Sequence, residues 1–254
     1  MSFFSRYFPF FSHNHTECPP VSPNPLLRLT IPNGQTGDKN VYVMSDLHGQ
    51  YEAFLRMLWK IRFHPERDLL ILAGDLIDCG PDSCSMLEYT RMESSVLVLR
   101  GNHEQDLINA WSSFGLRADP VLFARLKERR GKDAPEEYVS WLSSLPSCCS
   151  LTLGERRFLI AHAAPPSPTP QEAPDWERCL YGGEKDFYQE ACRWDGTVLI
   201  AGHTPTIHFS GRAQIWKSPD GLRQVIDCGA SCPECGGRLG CLRLNDMAEF
   251  YTEI

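Results

Sequence analysis

No stretch of this chain approaches the roughly 20 consecutive apolar residues that a membrane-spanning helix needs, and no block of lysine and arginine runs unbroken. The longest basic segment, Arg125 to Lys132, is interrupted by Glu128 and reads as a solvated helix face. With a formal net charge of -7, the chain has no electrostatic footprint for a nucleic-acid backbone. Its opening, Met1 to Phe11, is aromatic, but Arg6 and Pro9 break the apolar run. A basic start and a small-residue cleavage pattern are both missing, so a signal peptide is not expected there. An even, regularly spaced set of cysteines is also lacking: eleven are scattered along 254 residues, too many residues to need staples. Free thiols in a reducing cytoplasm are therefore expected. What the chain does have is 42% hydrophobic and 11% aromatic residues, enough to bury a large core.

Residues 1–40 read as a proline-rich extension and 41–254 as one domain. Pro19, Pro20, Pro23, Pro25 and Pro32, followed by Asn33-Gly34 and Gly37-Asp38, mark the extension, with a short strand suggested over Leu26 to Ile31. His13, His15 and Cys18 are close in sequence but have no partner loop, and are taken as incidental.

From Val41 a repeating pattern begins. Apolar strands are predicted at Val41 to Met44, Leu69 to Ala73 and Val96 to Leu99, and helices between them at Tyr51 to Arg62 and Ser83 to Arg91. Strand, loop and helix repeated in this way predict parallel strands with crossover helices, whose ligand site lies at the carboxyl ends of the strands. Those ends carry Asp46 and His48, then Asp75 and Asp78, then Asn102 and His103, each set beside a glycine. Two further apolar runs, Arg157 to Ala161 and Val198 to Gly202, lead into His162 and His203. A lone histidine after a strand is ordinarily structural. Five successive strand ends bearing carboxylate, amide and imidazole instead suit two divalent cations, with Asp75 able to bridge them through its two oxygens.

Taken in order, Asp46-Leu47-His48-Gly49, Gly74-Asp75-Leu76-Ile77-Asp78, Arg100-Gly101-Asn102-His103-Glu104, His162 and Gly202-His203 resemble the motifs of the calcineurin-like metallophosphoesterases. The closest likeness is to the small bacterial and phage serine/threonine phosphoprotein phosphatases. The resemblance implies a metallo-dependent phosphatase fold, an α/β architecture in which a two-sheet β-sandwich is flanked by helices. It also implies that Asp46, His48 and Asp75 hold one metal, and that Asp75, Asn102, His162 and His203 hold the other. His103 would be a general acid positioned by Asp78. Manganese is the first expectation for the cations, with iron, zinc or magnesium as alternatives. The substrate would be a phosphoprotein or a small phosphate ester. Gly80-Pro81-Asp82-Ser83 also resembles the symmetrical dinucleoside tetraphosphate hydrolases, which keeps a nucleotide-directed phosphoesterase open.

One position departs from that pattern. The family motif continues after Asp78 into an arginine that grips phosphate, and Cys79 stands there instead. Cysteine cannot supply a cationic fork, so Arg100 and Arg178 become the candidates for that grip. A metal-binding protein with impaired catalysis is the alternative outcome. Cys79 is not framed by a Cys-x5-Arg loop, which argues against a cysteine nucleophile and leaves a redox-sensitive thiol as the minor reading.

Elsewhere, helices are expected near Asp119 to Arg130 and Glu136 to Leu145, forming a cap after the third motif. Hairpins are expected at 214–227 and 239–253, and together suggest the second sheet. Cys232-Pro233-Glu234-Cys235, with Cys228 and Cys241, raises a zinc reading, but without a second CxxC buried thiols in a loop are preferred.

Overall fold

The computed structural model describes residues 25–32, 39–183, 187 and 194–254. His13, His15, Cys18 and the turns at Asn33-Gly34 and Gly37-Asp38 lie outside these residues.

The strands Val41–Met44 (β2), Leu69–Leu72 (β3) and Val96–Val98 (β4) run parallel, as the repeating pattern predicts. Helices Tyr51–Lys60 (α1) and Ser83–Met92 (α2) connect them. Alternation along the strands sorts the core into two layers. Val41, Val43 and Ile71 face the gap between sheets, whereas Tyr42, Met44, Leu70 and Leu72 face α1 and α2. Both faces are buried, which is why these strands read as continuous apolar runs.

After β4 come helices Asn102–Phe114 (α3), Pro120–Arg130 (α4) and Ala134–Ser144 (α5). They pack Leu107, Phe123, Leu126 and Leu142 onto the same outer core as α1. Pro120 at the first turn of α4 follows Asp119, whose side chain accepts from the Leu122 N–H at 2.9 Å, so that helix starts where its cap and proline dictate.

The second sheet begins with a strand that the extension contributes. Leu26–Ile31 (β1) lies parallel to Cys148–Leu153 (β5), which is antiparallel to Arg156–Ala161 (β6). Thr197–Ala201 (β7) follows, then the short helix Thr206–Ser210 (α7), and the hairpin Trp216–Lys217 (β8) and Arg223–Val225 (β9). The order is β1-β5-β6-β7-β9-β8.

Two sequence expectations are corrected here. The C-terminal hairpins do not together make the second sheet. Arg238–Arg243 (β10) and Ala248–Glu253 (β11) join the first, in the order β11-β10-β2-β3-β4. Leu239 and Cys241 fall on the helix side of β10, while Leu242 falls between the sheets. Strand β5 had no counterpart in the sequence reading, because its alternating Ser150 and Thr152 lower its apolar signal. The outcome is an α/β fold: two mixed sheets packed face to face and flanked by helices.

Candidate metal and catalytic site

The loops leaving β2, β3, β6 and β7 are laced together by their backbones. Asp46 N–H donates to the Gly74 carbonyl (3.1 Å), His48 N–H to that of Asp75 (2.9 Å), and Gly202 N–H to that of His162 (2.7 Å). Asp46, His48, Asp75, Asp78, Cys79 and His203 all hold positive φ, between 46° and 70°. Such conformations cost a non-glycine residue on the order of 1 kcal/mol or more each, and persist where surrounding structure enforces them. Two glycines make room for the carboxylates. A Cβ on Gly101 would collide with the Asp75 carboxylate, and one on Gly202 with that of Asp46.

Asp75 is the hub. Its Oδ2 lies 3.7 Å from His48 Nε2, 3.8 Å from His103 Nε2 and 3.4 Å from His162 Nε2. Asn102 Oδ1 sits 2.8 Å from His162 Nε2 and 3.0 Å from His203 Nδ1. Two sets of donor atoms therefore converge, His48 with Asp75 and His103, and Asp75 with His162 and His203. Asp46 stands beside them, its carboxylate oxygens accepting from the His203 N–H at 3.0 and 3.1 Å. It is not among the residues of either convergent set, which differs from the expected grouping of Asp46 with His48 and Asp75.

The electrostatics fit divalent cations. His48 Nδ1 faces the Ile77 carbonyl at 3.1 Å and His162 Nδ1 faces that of Ala73 at 3.0 Å. Each carbonyl fixes the tautomer that turns an unprotonated Nε2 inward, the arrangement metal-bound imidazoles take. Burial, then the charge of His103, lowers His48 to about 4, and the same two causes lower His203 to about 4. Burial also lowers His162. Burial, then the charge of Asp227, pushes Asp46 well above the carboxylate range, and burial, then the charge of Glu104, does the same to Asp75 against the opposing charge of His103. Buried carboxylates facing neutral imidazoles leave a deficit of positive charge that a cation would fill.

His103 differs from the other imidazoles. Its Nδ1 donates to a carboxylate, Asp78 Oδ2 at 2.6 Å, rather than to a carbonyl. Burial alone would lower it, but the Asp78 hydrogen bond and the charges of Asp75, Asp78 and Glu104 outweigh burial and raise it to about 9.

Two buried acids escaped the sequence reading. Glu104, with no exposed surface, accepts the N–H groups of Asp75 (2.9 Å), Leu76 (2.7 Å) and Gly101 (2.8 Å), and so ties the second and third motifs together. Its position three residues after the Gly101 cap, where a capping-box glutamate sits, was the available signal. Asp227 follows Val225 and Ile226 at the end of β9, and accepts the Gly229 N–H at 2.8 Å.

The expected phosphate-gripping residues fare differently. Arg100 is 1% exposed, and its guanidinium donates to Gln105 Oε1 (2.7 Å), the Leu145 carbonyl (3.3 Å) and the Ser143 carbonyl. It closes the C-terminus of α5 instead of facing the centre. Arg178 opens a four-residue helix, Arg178–Tyr181 (α6), beside the loop that follows His162, with Nε donating to the Pro165 carbonyl at 3.4 Å. Cys79 is exposed, and burial of its thiol group together with Asp78 and Asp75 raises it to about 11. A thiol raised in this way is a poor source of thiolate, which argues against a cysteine nucleophile. The expectation of buried thiols at Cys232 and Cys235 is corrected: the two form a disulfide across a partly exposed turn. Cys228 and Cys241 are free and buried, and do not join Cys232, Glu234 and Cys235 in a four-cysteine cluster.

Comparisons with known proteins agree with this geometry. The family model for calcineurin-like phosphoesterases matches residues 39–226. Serine/threonine-protein phosphatase 1 of Salmonella typhimurium is 31% identical over 173 residues, 66% of this chain and 79% of that protein. A symmetrical bis(5'-nucleosyl)-tetraphosphatase of Erwinia tasmaniensis is 30% identical over 125 residues, but the match spans only 44% of that enzyme. Among solved structures, one provisionally assigned as a diadenosine tetraphosphatase has a TM-score of 0.65 at 18% identity, covering 89% of this chain and 97% of that one. A Saccharomyces cerevisiae serine/threonine phosphatase has a TM-score of 0.64 at 15% identity, covering 91% and 84%. At such identities the likeness speaks for the fold. With the family model spanning most of the chain, the protein belongs to the calcineurin-like phosphoesterases and is a metallophosphoesterase of the phosphoprotein-phosphatase type.

Proposed function

We propose that the protein hydrolyses phosphate monoesters by direct attack of water, with phosphoserine and phosphothreonine of proteins as its substrates. The observation that carries this reading is the His103–Asp78 pair, 2.6 Å apart, with His103 Nε2 directed to the same side as the Asp75 hub. Asp46, His48 and Asp75 would hold one divalent cation, and Asp75, Asn102, His162 and His203 the other, with manganese the first candidate. When bound, the two cations supply Lewis acidity toward the phosphoryl oxygens and the attacking water. The protein's own part is proton transfer and orientation. Asp78 accepts from His103 Nδ1, fixes the ring and favours the imidazolium, so that Nε2–H can protonate the departing serine or threonine oxygen as its bond to phosphorus breaks. With Cys79 in place of an arginine, Arg178 is the proposed cation for the phosphate, and the chain is read as catalytically competent rather than impaired.

Hydrolysis of an aryl phosphate, a phosphopeptide and a dinucleoside tetraphosphate by the manganese-loaded protein tests this. The phosphopeptide is expected to turn over fastest; preferential release of nucleoside diphosphate would favour the tetraphosphatase reading, which rests on the 30% identity above and on Gly80-Pro81-Asp82-Ser83. His103→Asn should lower phosphopeptide kcat by roughly 10²- to 10⁴-fold. An inactive parent that gains activity in Cys79→Arg would instead support the impaired binding protein.

A further inference from the structure

One hydrogen bond beside the site is not used by the chemistry above. Tyr181, the last residue of α6, donates its hydroxyl to Asp106 Oδ1 at 2.8 Å. Asp106 lies one turn after His103 on α3, close enough to His103 and Asp78 for their charges to act on its carboxylate. The opposite end of α6 is Arg178. The rest of α6 is locked to the loop after His162: Ala163 N–H donates to the Cys179 carbonyl at 2.8 Å, and a Cβ on Gly182 would collide with Ala164. A helix of a single turn thus carries a candidate phosphate cation at one end and a tether to the helix of the candidate acid at the other. Its tether spans from the second sheet's His162 loop to the first sheet's third motif.

We infer that the Tyr181–Asp106 hydrogen bond is a clasp that sets the position of Arg178 relative to His103, making Tyr181 and Asp106 positioning residues for substrate phosphate. This rests on the reading of Arg178 as the phosphate cation. Without the hydroxyl, α6 keeps its links to residues 163 and 164 but loses its side-chain bond to α3. The cost should therefore fall on substrate binding more than on proton transfer.

Steady-state kinetics of the manganese-loaded full chain on an aryl phosphate test the inference, with thermal melts to check that each variant is folded. Tyr181→Phe and Asp106→Ala are each expected to raise KM by about 5-fold, the size of one net hydrogen bond, with kcat within about twofold of the parent. Asp106→Asn keeps an acceptor for the hydroxyl and should restore most of the KM lost in Asp106→Ala. In an Arg178→Ala background, Tyr181→Phe should raise KM no further. If Arg178→Ala raises KM but Tyr181→Phe does not, the clasp is overturned while the phosphate reading stands. If Arg178→Ala leaves KM unchanged, the phosphate reading fails, and the clasp with it. Equal losses in kcat and KM would overturn positioning in favour of a general structural role.

Discussion

Single side chains set the acid–base behaviour of this centre. His103 stays protonated to about 9 because Asp78, Asp75 and Glu104 surround it with negative charge. That value belongs to the metal-free chain; cations held by Asp75 would lower it, so in the loaded protein Nε2 should lose the proton destined for the leaving group, and kcat should fall, on the alkaline side at a pH below about 9. Asp78→Asn removes both a charge and the acceptor of the imidazole N–H, and should move that limb down by about one unit or more in a kcat–pH profile. An unmoved limb would exclude Asp78 as the partner that poises His103. Asp227 carries a second pH effect, on stability. Burial raises its carboxyl from 3.8 to about 7. The metal-free folded protein therefore retains a proton there that the unfolded chain releases. This contribution is fully present below the unfolded value near 3.8 and is lost as pH rises through about 7. Asparagine can still accept the Gly229 N–H, so metal-free Asp227→Asn should melt above the parent at pH 8, and the gap should shrink toward pH 4. A gap independent of pH would mean that Asp227 is ionised in the fold throughout.

At the scale of elements, the strand-end loops are held in strained conformations by side chains that never reach substrate. Glu104 is the central case, a buried carboxylate accepting three backbone N–H groups from two motifs. Glu104→Ala leaves those donors buried without a partner, each costing about 1–3 kcal/mol. Loss of several degrees in melting temperature and weaker manganese binding are expected together, since the same loop carries Asp75 and Leu76. Destabilisation with unchanged metal affinity would show that the loop keeps its shape unaided. The main elements were largely legible in the sequence, because β2, β3 and β4 are short apolar runs punctuated by glycine and polar motifs, and α4 begins at an Asp-Pro cap. Strand β5 was not, since Ser150 and Thr152 alternate with its apolar residues. Arg100 was misread for a related reason: an arginine beside a motif looks available for phosphate until α5 is seen to place the Ser143 and Leu145 carbonyls around its guanidinium.

For the whole molecule, the centre exists only where two sheets meet. The first sheet supplies Asp46, His48, Asp75, Asn102 and His103; the second supplies His162 and His203. Cations held by both sets would bind the folded chain and not the unfolded one, stabilising it by about 2.7 kcal/mol at a hundredfold excess over Kd. Chelation is thus expected to lower the melting temperature by several degrees, and manganese to restore it; a melt indifferent to both would argue against metal bridging the sheets. Relatives named for protein phosphatase and for tetraphosphatase activity both match this chain, so the family by itself does not choose between those substrates.

Local sequence determined the strand ends, their polar residues and the order in which they come, because apolar runs, glycines and motif spacing are properties of neighbouring positions. It therefore announced the chemistry. Tertiary packing decided which of those residues meet: that Asp46 stands outside the two convergent donor sets, that Arg100 turns into α5, that Cys232 and Cys235 are paired, and that the two C-terminal hairpins part company between the sheets. The physical reason is that burial, charge balance and hydrogen-bond satisfaction depend on groups far apart in the chain, such as Glu104 against Asp75 or Tyr181 against Asp106. No window of sequence contains both partners.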